Sequence, residues 1–587
     1  MRITMSFKWI LPAALLLAWN GAAGAEAGSA RAPADLVFTH AAVYTVNTAQ
    51  PWAQSVAVSG GVIRYVGTDA GARAWIGPVT RVVDLHGKML LPGFQDGHVH
   101  PLYAGIDHEQ CLLSDFKTAQ EYASAVKACA DKHPHASWIV GDGWELSAFG
   151  PEGIPNKSIL DAVVPDRPVA LTSADGHSLW TNSMALKIAG VTRDTKDPPK
   201  GRIDRDPATG EPVGSFQEDT AMSLVTSHIP PPSAKMLEDA LLYSMHYLNS
   251  LGITAWQDAS VNPSPDDPDQ MLETYRRIDE SGKLTVHVEE DLHWNDKEGV
   301  EQIPHLEALR EKYTEGNIRT KTVKIFIDGI IEPRTAALLQ DYSDKPGYRG
   351  PLLVQPEALK DAVVHLDAAG FQVHMHVIGD RAVRVALDAI EAARRANGPN
   401  DNRHHLAHLE VVEPQDIPRF VKLGVTANFQ PLWAFADDYI KKLTYPRLGP
   451  ERSRWIYPIN SILRTGATVA FGSDWDVSSP DPLQGIEVAV TRMGPNGETK
   501  TPFIPQERIP LKDAIAAYTL HAAYVNHIDD RTGSIQVGKL ADLVVLKWNL
   551  FKIKPAKISD SKVLLTLFGG KPVYGSFDAA GNVHFGT

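Results

Sequence analysis

The chain has 587 residues, 43% of them hydrophobic and 22% charged, which is the balance of a folded globular protein longer than one ordinary domain. A formal net charge of -13 with no clustered basic run argues against nucleic acid as a partner, since phosphate binding needs a basic face. Cys111 and Cys129 are too few for a disulfide-stapled scaffold or a thiolate metal site, although one bridge fits an oxidising compartment.

The first residues carry Arg2 and Lys8, then an apolar stretch from Trp9 to Trp19, then Ala23-Gly24-Ala25 before Glu26. This pattern predicts a cleaved export signal over 1–25 and a periplasmic or secreted mature chain with no stable membrane insertion. Short β-rich pieces follow, and similar pieces recur near the C-terminus. Residues 34–92 and 535–587 are expected to pair into one discontinuous β-sandwich. Between them, strands alternate with amphipathic helices. Strand candidates lie at 90–100, 253–260, 284–294, 322–329, 371–379, 404–410, 425–431 and 467–475. Eight such units predict an α/β fold, a (β/α)8 TIM barrel over 93–534. The gap between the first two strands is too long for a βα turn, so residues 102–235 form an insertion within the barrel.

In such a barrel, polar residues at the carboxyl ends of the strands face the active site. His98 and His100 are two apart and share a strand face, a geometry in which both can bind one ion. His374 and His376 also share a face; alternation does not choose between them, and position favours His376, nearer the strand end. Among His404, His405 and His408, position favours His408. Asp474 closes an apolar strand, where a buried charge needs a cation or proton, and a carboxylate there can both ligate metal and move a proton. Lys324 sits in the apolar run Thr322-Val323-Lys324-Ile325-Phe326. It reads either as an uncharged amine that takes up CO2 to give a metal-bridging carbamate, or as an ion-pair partner of a carboxylate such as Asp328. His177, Trp144 and Arg334 are further candidates for substrate contact. The acidic excess fits solubility, with steering of a cationic substrate as the alternative.

These segments resemble the amidohydrolase superfamily, in detail its YtcJ-like metal-dependent hydrolases (amidohydrolase family 3). The matching stretches are LLPGFQDGHVHP, DGHSLWTNSMAL, GITAWQDAS, VKIFIDG, HVIGDRAV, GSDWDVSSPDPL and GSIQVGKLADLVVL, which span essentially the mature chain. The resemblance implies that His98, His100, Lys324, His376, His408 and Asp474 hold metal and that Asp474 is the catalytic acid/base. It also implies the split sandwich and the large insertion. Leu406-Ala407-His408 lacks the glutamate that relatives often carry before the sixth-strand histidine, and the loop Ile331-Glu332-Pro333-Arg334-Thr335 belongs to a segment that varies with substrate. The implied activity is hydrolysis of a non-peptide carbon-nitrogen bond in a small molecule by a metal-activated hydroxide. The cofactor is a divalent ion, zinc first, with two ions if Lys324 is carboxylated. Ester, lactone or phosphotriester hydrolysis would use the same groups. The contrasting class, a non-catalytic binding protein, gives no use for His98, His100, His376, His408 and Asp474 together. Oligomeric state, including a homodimer, is left open.

Overall fold

The computed structural model describes residues 32–114, 116–261, 269–578 and 583–586, so the export segment expected at 1–25 lies outside the described residues. Eight parallel strands form one sheet in chain order: β1 (Phe94–Val99), β2 (Ile253–Val261), β3 (His287–His293), β4 (Ile318–Phe326), β5 (Gln372–Val377), β6 (His405–His408), β7 (Thr426–Phe429) and β8 (Val469–Phe471). Two backbone bonds just beyond the strands close the seam between β8 and β1. Asp474 N–H donates to His98 O at 2.7 Å, and His100 N–H donates to Trp475 O at 2.7 Å. Only glycine allows this approach, because a Cβ on Gly472 would stand 2.5 Å from the His98 nitrogen.

Helices such as Pro356–Ala368 and Asp380–Asn397 surround the barrel. The second buries Ala382, Val383, Ala386, Leu387, Ile390 and Ala393, the one-sided spacing that docks a helix on a sheet. The barrel interior beneath the site is polar. Gln257 donates to Asp291 Oδ1 at 2.8 Å, Thr322 to Glu289 Oε1 at 2.8 Å, and Asn428 to Gly97 O at 2.7 Å. These bonds bridge neighbouring strands and, through Asn428, β7 to β1, so polar burial here tightens the barrel.

Two expected strands are redrawn. The stretch 90–100 is split: Met89–Pro92 pairs with Leu543–Leu546 in another sheet, and β1 begins after Gly93. The fourth strand ends at Phe326 and not at 329. Beyond it, Asp328 accepts backbone N–H groups from Ala337, Ile378 and Gly379 at 2.8–2.9 Å. Asp328 therefore pins the β4 and β5 loops together and is not an ion-pair partner of Lys324.

Both chain ends contribute to two further sheets. One contains Leu36–Thr39, Ser55–Ser59, Val62–Gly67 and Arg81–Asp84; the other joins Ala42–Tyr44, Trp52–Ala53 and Met89–Pro92 to Leu543–Leu546, Val563–Phe568 and Lys571–Tyr574. Phe38, Val56, Ile63, Leu90, Val545 and Leu565 share one buried cluster between them. Residues 111–217 build a separate six-stranded sheet with its own core, in which Cys111 and Cys129 are disulfide-bonded. No helix among the described residues is long and apolar enough to cross a membrane.

Candidate active site

His98 lies in β1 and His100 just past its end; Lys324 is in β4, His376 in β5, His408 at the end of β6, and Asp474 three residues beyond β8. Parallel strands deliver all six to one end of the barrel, where they line a cavity of about 1420 Å³. Asp474 Oδ1 stands 3.2 Å from His98 Nε2 and 3.2 Å from His100 Nε2, and its Oδ2 is 3.7 Å from His408 Nδ1. His376 and His408 lie with ring centroids 4.5 Å apart. His408 and Asp474 take positive φ angles of 75° and 55°, uncommon for side chains with a Cβ. Such backbone strain concentrates where a side chain must be aimed.

The electrostatics suit metal ligation. Burial holds His98, His376 and His408 well below the usual imidazole range, so each keeps a lone pair. Burial works against the Asp474 charge, while the hydrogen bond from His100, an imidazole that Asp474 itself raises, helps hold the carboxyl below its usual range. Ligand atoms of His98, His408 and Asp474 all fall within 4.8 Å of one another, and the buried Nε2 of His376 has no hydrogen-bond partner. Donors bound at about 2.0–2.2 Å lie up to roughly 4 Å apart across an ion, so small side-chain closure suffices. The residues present fit a divalent ion.

Lys324 Nζ is 3.4 Å from His98 Nε2 and 4.9 Å from the Phe326 ring centre. Burial brings its ammonium down to about 8, against the pull of Asp474, Asp291 and Asp258. Burial thus brings the free amine that a carbamate needs within closer reach than in an exposed lysine; the Asp328 pair is absent, and the carboxylates that act on the lysine are Asp474, Asp291 and Asp258.

His374, the alternative to His376 on the same strand face, supports the site from beneath. Its Nε2 is 2.9 Å from His98 Nδ1, and its Nδ1 is 2.5 Å from Asp291 Oδ2. A His98 that offers Nε2 to an ion carries its proton on Nδ1 and donates it to His374 Nε2. The proton of His374 then sits on Nδ1, facing Asp291. This chain fixes the tautomer and plane of His98.

The insertion supplies His177, on the cavity wall with its ring centroid 5.3 Å from that of His376. Its Nδ1 is 3.0 Å from Glu218 Oε2. Burial opposes the imidazolium, but Glu218 and Asp175 outweigh it and raise the group to about 9. Glu218 was not legible in the sequence. It lies 41 residues from its partner, in a segment without histidine or a repeated motif, although its φ of 68° marks it in the structure.

Two expected substrate contacts lie elsewhere. Trp144 is fully buried in the insertion's core, its indole N–H donating to Leu171 O at 2.8 Å, and it does not line the cavity. Arg334 is held by Asp344 at 2.7 Å and Glu152 at 3.1 Å, also off the cavity wall. An insertion needs its own core, and an arginine beside two carboxylates is a strut.

Comparison with known proteins matches residues 81–574 to the amidohydrolase family. The chain is 34% identical over 557 residues to the protein LONG AFTER FAR-RED 3 of Arabidopsis thaliana, covering 92% of each chain. It is 30% identical to the putative amidohydrolase YtcJ of Bacillus subtilis, covering 91% of this chain and 98% of that one. With the N-substituted formamide deformylase of Arthrobacter pascens it shares 27% identity over 91% of this chain and 97% of the other. Among solved structures, an uncharacterized metal-dependent hydrolase from Pyrococcus horikoshii superposes with a TM-score of 0.69 at 23% identity, covering 89% of this chain and 99% of that one. The chain thus belongs to the amidohydrolase family and is an enzyme of that class, acting on carbon-nitrogen bonds other than peptide bonds.

Proposed function

We propose that this enzyme hydrolyses an N-acyl or N-formyl amine with a divalent ion, zinc first, held by His98, His100, His376, His408 and Asp474. The observation that carries this reading is the convergence of four imidazoles and one carboxylate, from β1, β5, β6 and the end of β8, on one cavity. Such an ion supplies Lewis acidity, lowering the pKa of an attacking water toward about 7 and polarising the carbonyl. The chain's own part falls to Asp474. Its Oδ1 faces His98 and His100, leaving Oδ2 to take the proton of the attacking water and return it to the leaving nitrogen. Water adds to the carbonyl carbon, the carbon-nitrogen bond breaks, and a carboxylic acid and an amine leave. Lys324, as a carbamate, would bridge to a second ion. Similarity to the formamide deformylase makes N-substituted formamides the first substrates to test.

The experiment is a turnover screen of zinc-reconstituted protein over N-formyl amines, N-acyl amines, esters, lactones and phosphotriesters, with metal content measured alongside. Amide turnover that disappears on chelation is expected. Turnover of esters, lactones or phosphotriesters alone, or turnover that needs no divalent ion, would overturn the assignment to N-acyl and N-formyl amines with a bound ion. We further propose export, with a mature chain beginning near Glu26. The Cys111–Cys129 bridge supports an oxidising compartment, and mass spectrometry of the secreted protein tests it. Retention of residues 1–25 on active protein would defeat it.

A further inference from the structure

The cavity wall holds a second carboxylate group besides the ligand set. Asp107 in helix Pro101–His108, Asp142 in insertion strand Ile139–Trp144 and Asp476 after β8 bring ligand oxygens within 4.8 Å of one another. All three line the same cavity as His98 and Asp474. Burial pushes Asp107 and Asp142 well above the usual carboxylate range, and the charged groups that add to it are carboxylates: Asp142 and Asp476 on Asp107, which also shares a hydrogen bond with Asp476, and Asp476 and Asp175 on Asp142. No lysine, arginine or histidine among the described residues forms an ion pair with the three. The wall's lysines are Lys200, Lys297 and Lys324, and Lys200 is bound to Asp296.

Asp142 points most directly to a ligand. It is 8% exposed, and its carboxylate receives no hydrogen bond or ion pair from any described residue. With no donor of its own, such a carboxylate either keeps a proton or meets a cation, and Asp142 lines a cavity that can admit one. Its backbone is firmly placed. Asp142 pairs with Leu112, Leu113 N–H donates to Asp142 O at 2.8 Å, and the adjacent Cys111 is disulfide-bonded to Cys129.

We propose that Asp107, Asp142 and Asp476 form a subsite for a cationic group of the substrate, a protonated amine or guanidinium. The proposal rests on the hydrolase reading above and specifies its substrate class. Asp476 is two residues beyond Asp474, a reach of at most about 7 Å, and an extended chain advances roughly 1.2 Å per bond. Asp107 is two helical turns from His100, roughly 10 Å along the axis. A linker of up to about eight bonds therefore spans the separation of the two backbones. Charge-assisted hydrogen bonds from an ammonium to carboxylates of three separate elements would also fix the substrate's direction in the cavity.

Calorimetric titration of the zinc-loaded protein near neutral pH tests this with two inert probes, N-(5-aminopentyl)methanesulfonamide and N-hexylmethanesulfonamide, which differ by an ammonium in place of a methyl. The charged probe is expected to bind at least about tenfold more tightly, a step of 1.4 kcal/mol, and Asp142→Asn or Asp107→Asn should each shrink that ratio toward one. Two variants guard against misfolding of either, because the ratio is read within one protein. Equal affinities, no binding of the charged probe, or a ratio that survives both variants overturns the proposal. So does a second equivalent of zinc or calcium that binds in an Asp142-dependent way without any probe preference. Failure of the hydrolase reading shows separately, as absent turnover of the corresponding N-acetyl amines.

Discussion

Asp474 combines a ligand oxygen and a proton acceptor in one side chain, and the two roles separate on substitution. Asp474→Asn keeps the shape and one ligating oxygen, so the fold and much of the metal should remain while turnover falls by about 10²–10⁴-fold. Turnover within about threefold of the parent would show that another group takes the proton. The His374–Asp291 pair acts one step further out. His374→Ala leaves His98 Nδ1 without its buried partner, and metal affinity should fall about 10–100-fold with the ligand atoms still present. A metal titration of the variant matching the parent would show that β1 alone orients His98. These roles mark how far single residues were legible. The pair His98 and His100 stood out because period-two spacing on a strand has a direct meaning for metal geometry. His374 and His376 share a face, and only the depth of each along β5 decides which reaches the cavity and which supports another histidine.

Elements assemble the site from distant parts of the chain, and their supports are less visible in sequence than the strands. The break at Gly93 between a sandwich strand and β1 lies inside one continuous apolar run, so hydrophobic pattern alone joined them. The insertion's Trp144 looked like a cavity aromatic because a core residue and a substrate contact share the same composition. Its true contribution is the His177–Glu218 pair. Glu218→Gln removes the charge that raises His177, so its imidazole should titrate well below about 9 in metal-free protein, as followed by NMR. An unchanged titration would assign the shift to Asp175. Below the barrel, Asp367 ends helix Pro356–Ala368 and accepts from Asn397, Asn400, Asn402 and His404 at 2.8–2.9 Å. Burial pushes its carboxyl up, but these donors hold it well below its usual value. A depressed folded pKa means stabilisation that is present above the ordinary aspartate range and lost as pH falls through the folded value. Asp367→Ala should therefore cost about 3 kcal/mol near neutrality. The gap to the parent should hold down to about pH 4 and narrow only below it, as read by urea unfolding across pH.

Across the whole molecule, the ligand set does more than hold an ion, because its members come from β1, β5, β6 and the end of β8. An ion bound by both His98 and Asp474 would span the seam between the last strand and the first, where two backbone bonds beyond the strands join Asp474 to His98 and His100 to Trp475. Binding to the native state alone stabilises by about 2.7 kcal/mol at a hundredfold excess over Kd. That stabilisation should not spread evenly through a chain with several cores, since local opening draws on the contacts of each region. Strands Leu543–Leu546 and Val563–Phe568 are shared with the barrel core through Val544, Leu546 and Val563, whereas strand Ser55–Ser59 packs Val56 and Val58 only in the separate sandwich cluster. Chelation should therefore speed amide hydrogen exchange at His100 and Asp474, the seam donors, by about a hundredfold at that ion excess, while Val56 and Val58 in the sandwich exchange at their former rate. The contrast between seam and sandwich separates a ligand that closes the barrel from one that raises the stability of the whole chain. Equal acceleration in both regions would mean that the ion is coupled to global unfolding, and no acceleration at the seam would mean that these two backbone bonds hold the barrel shut without it.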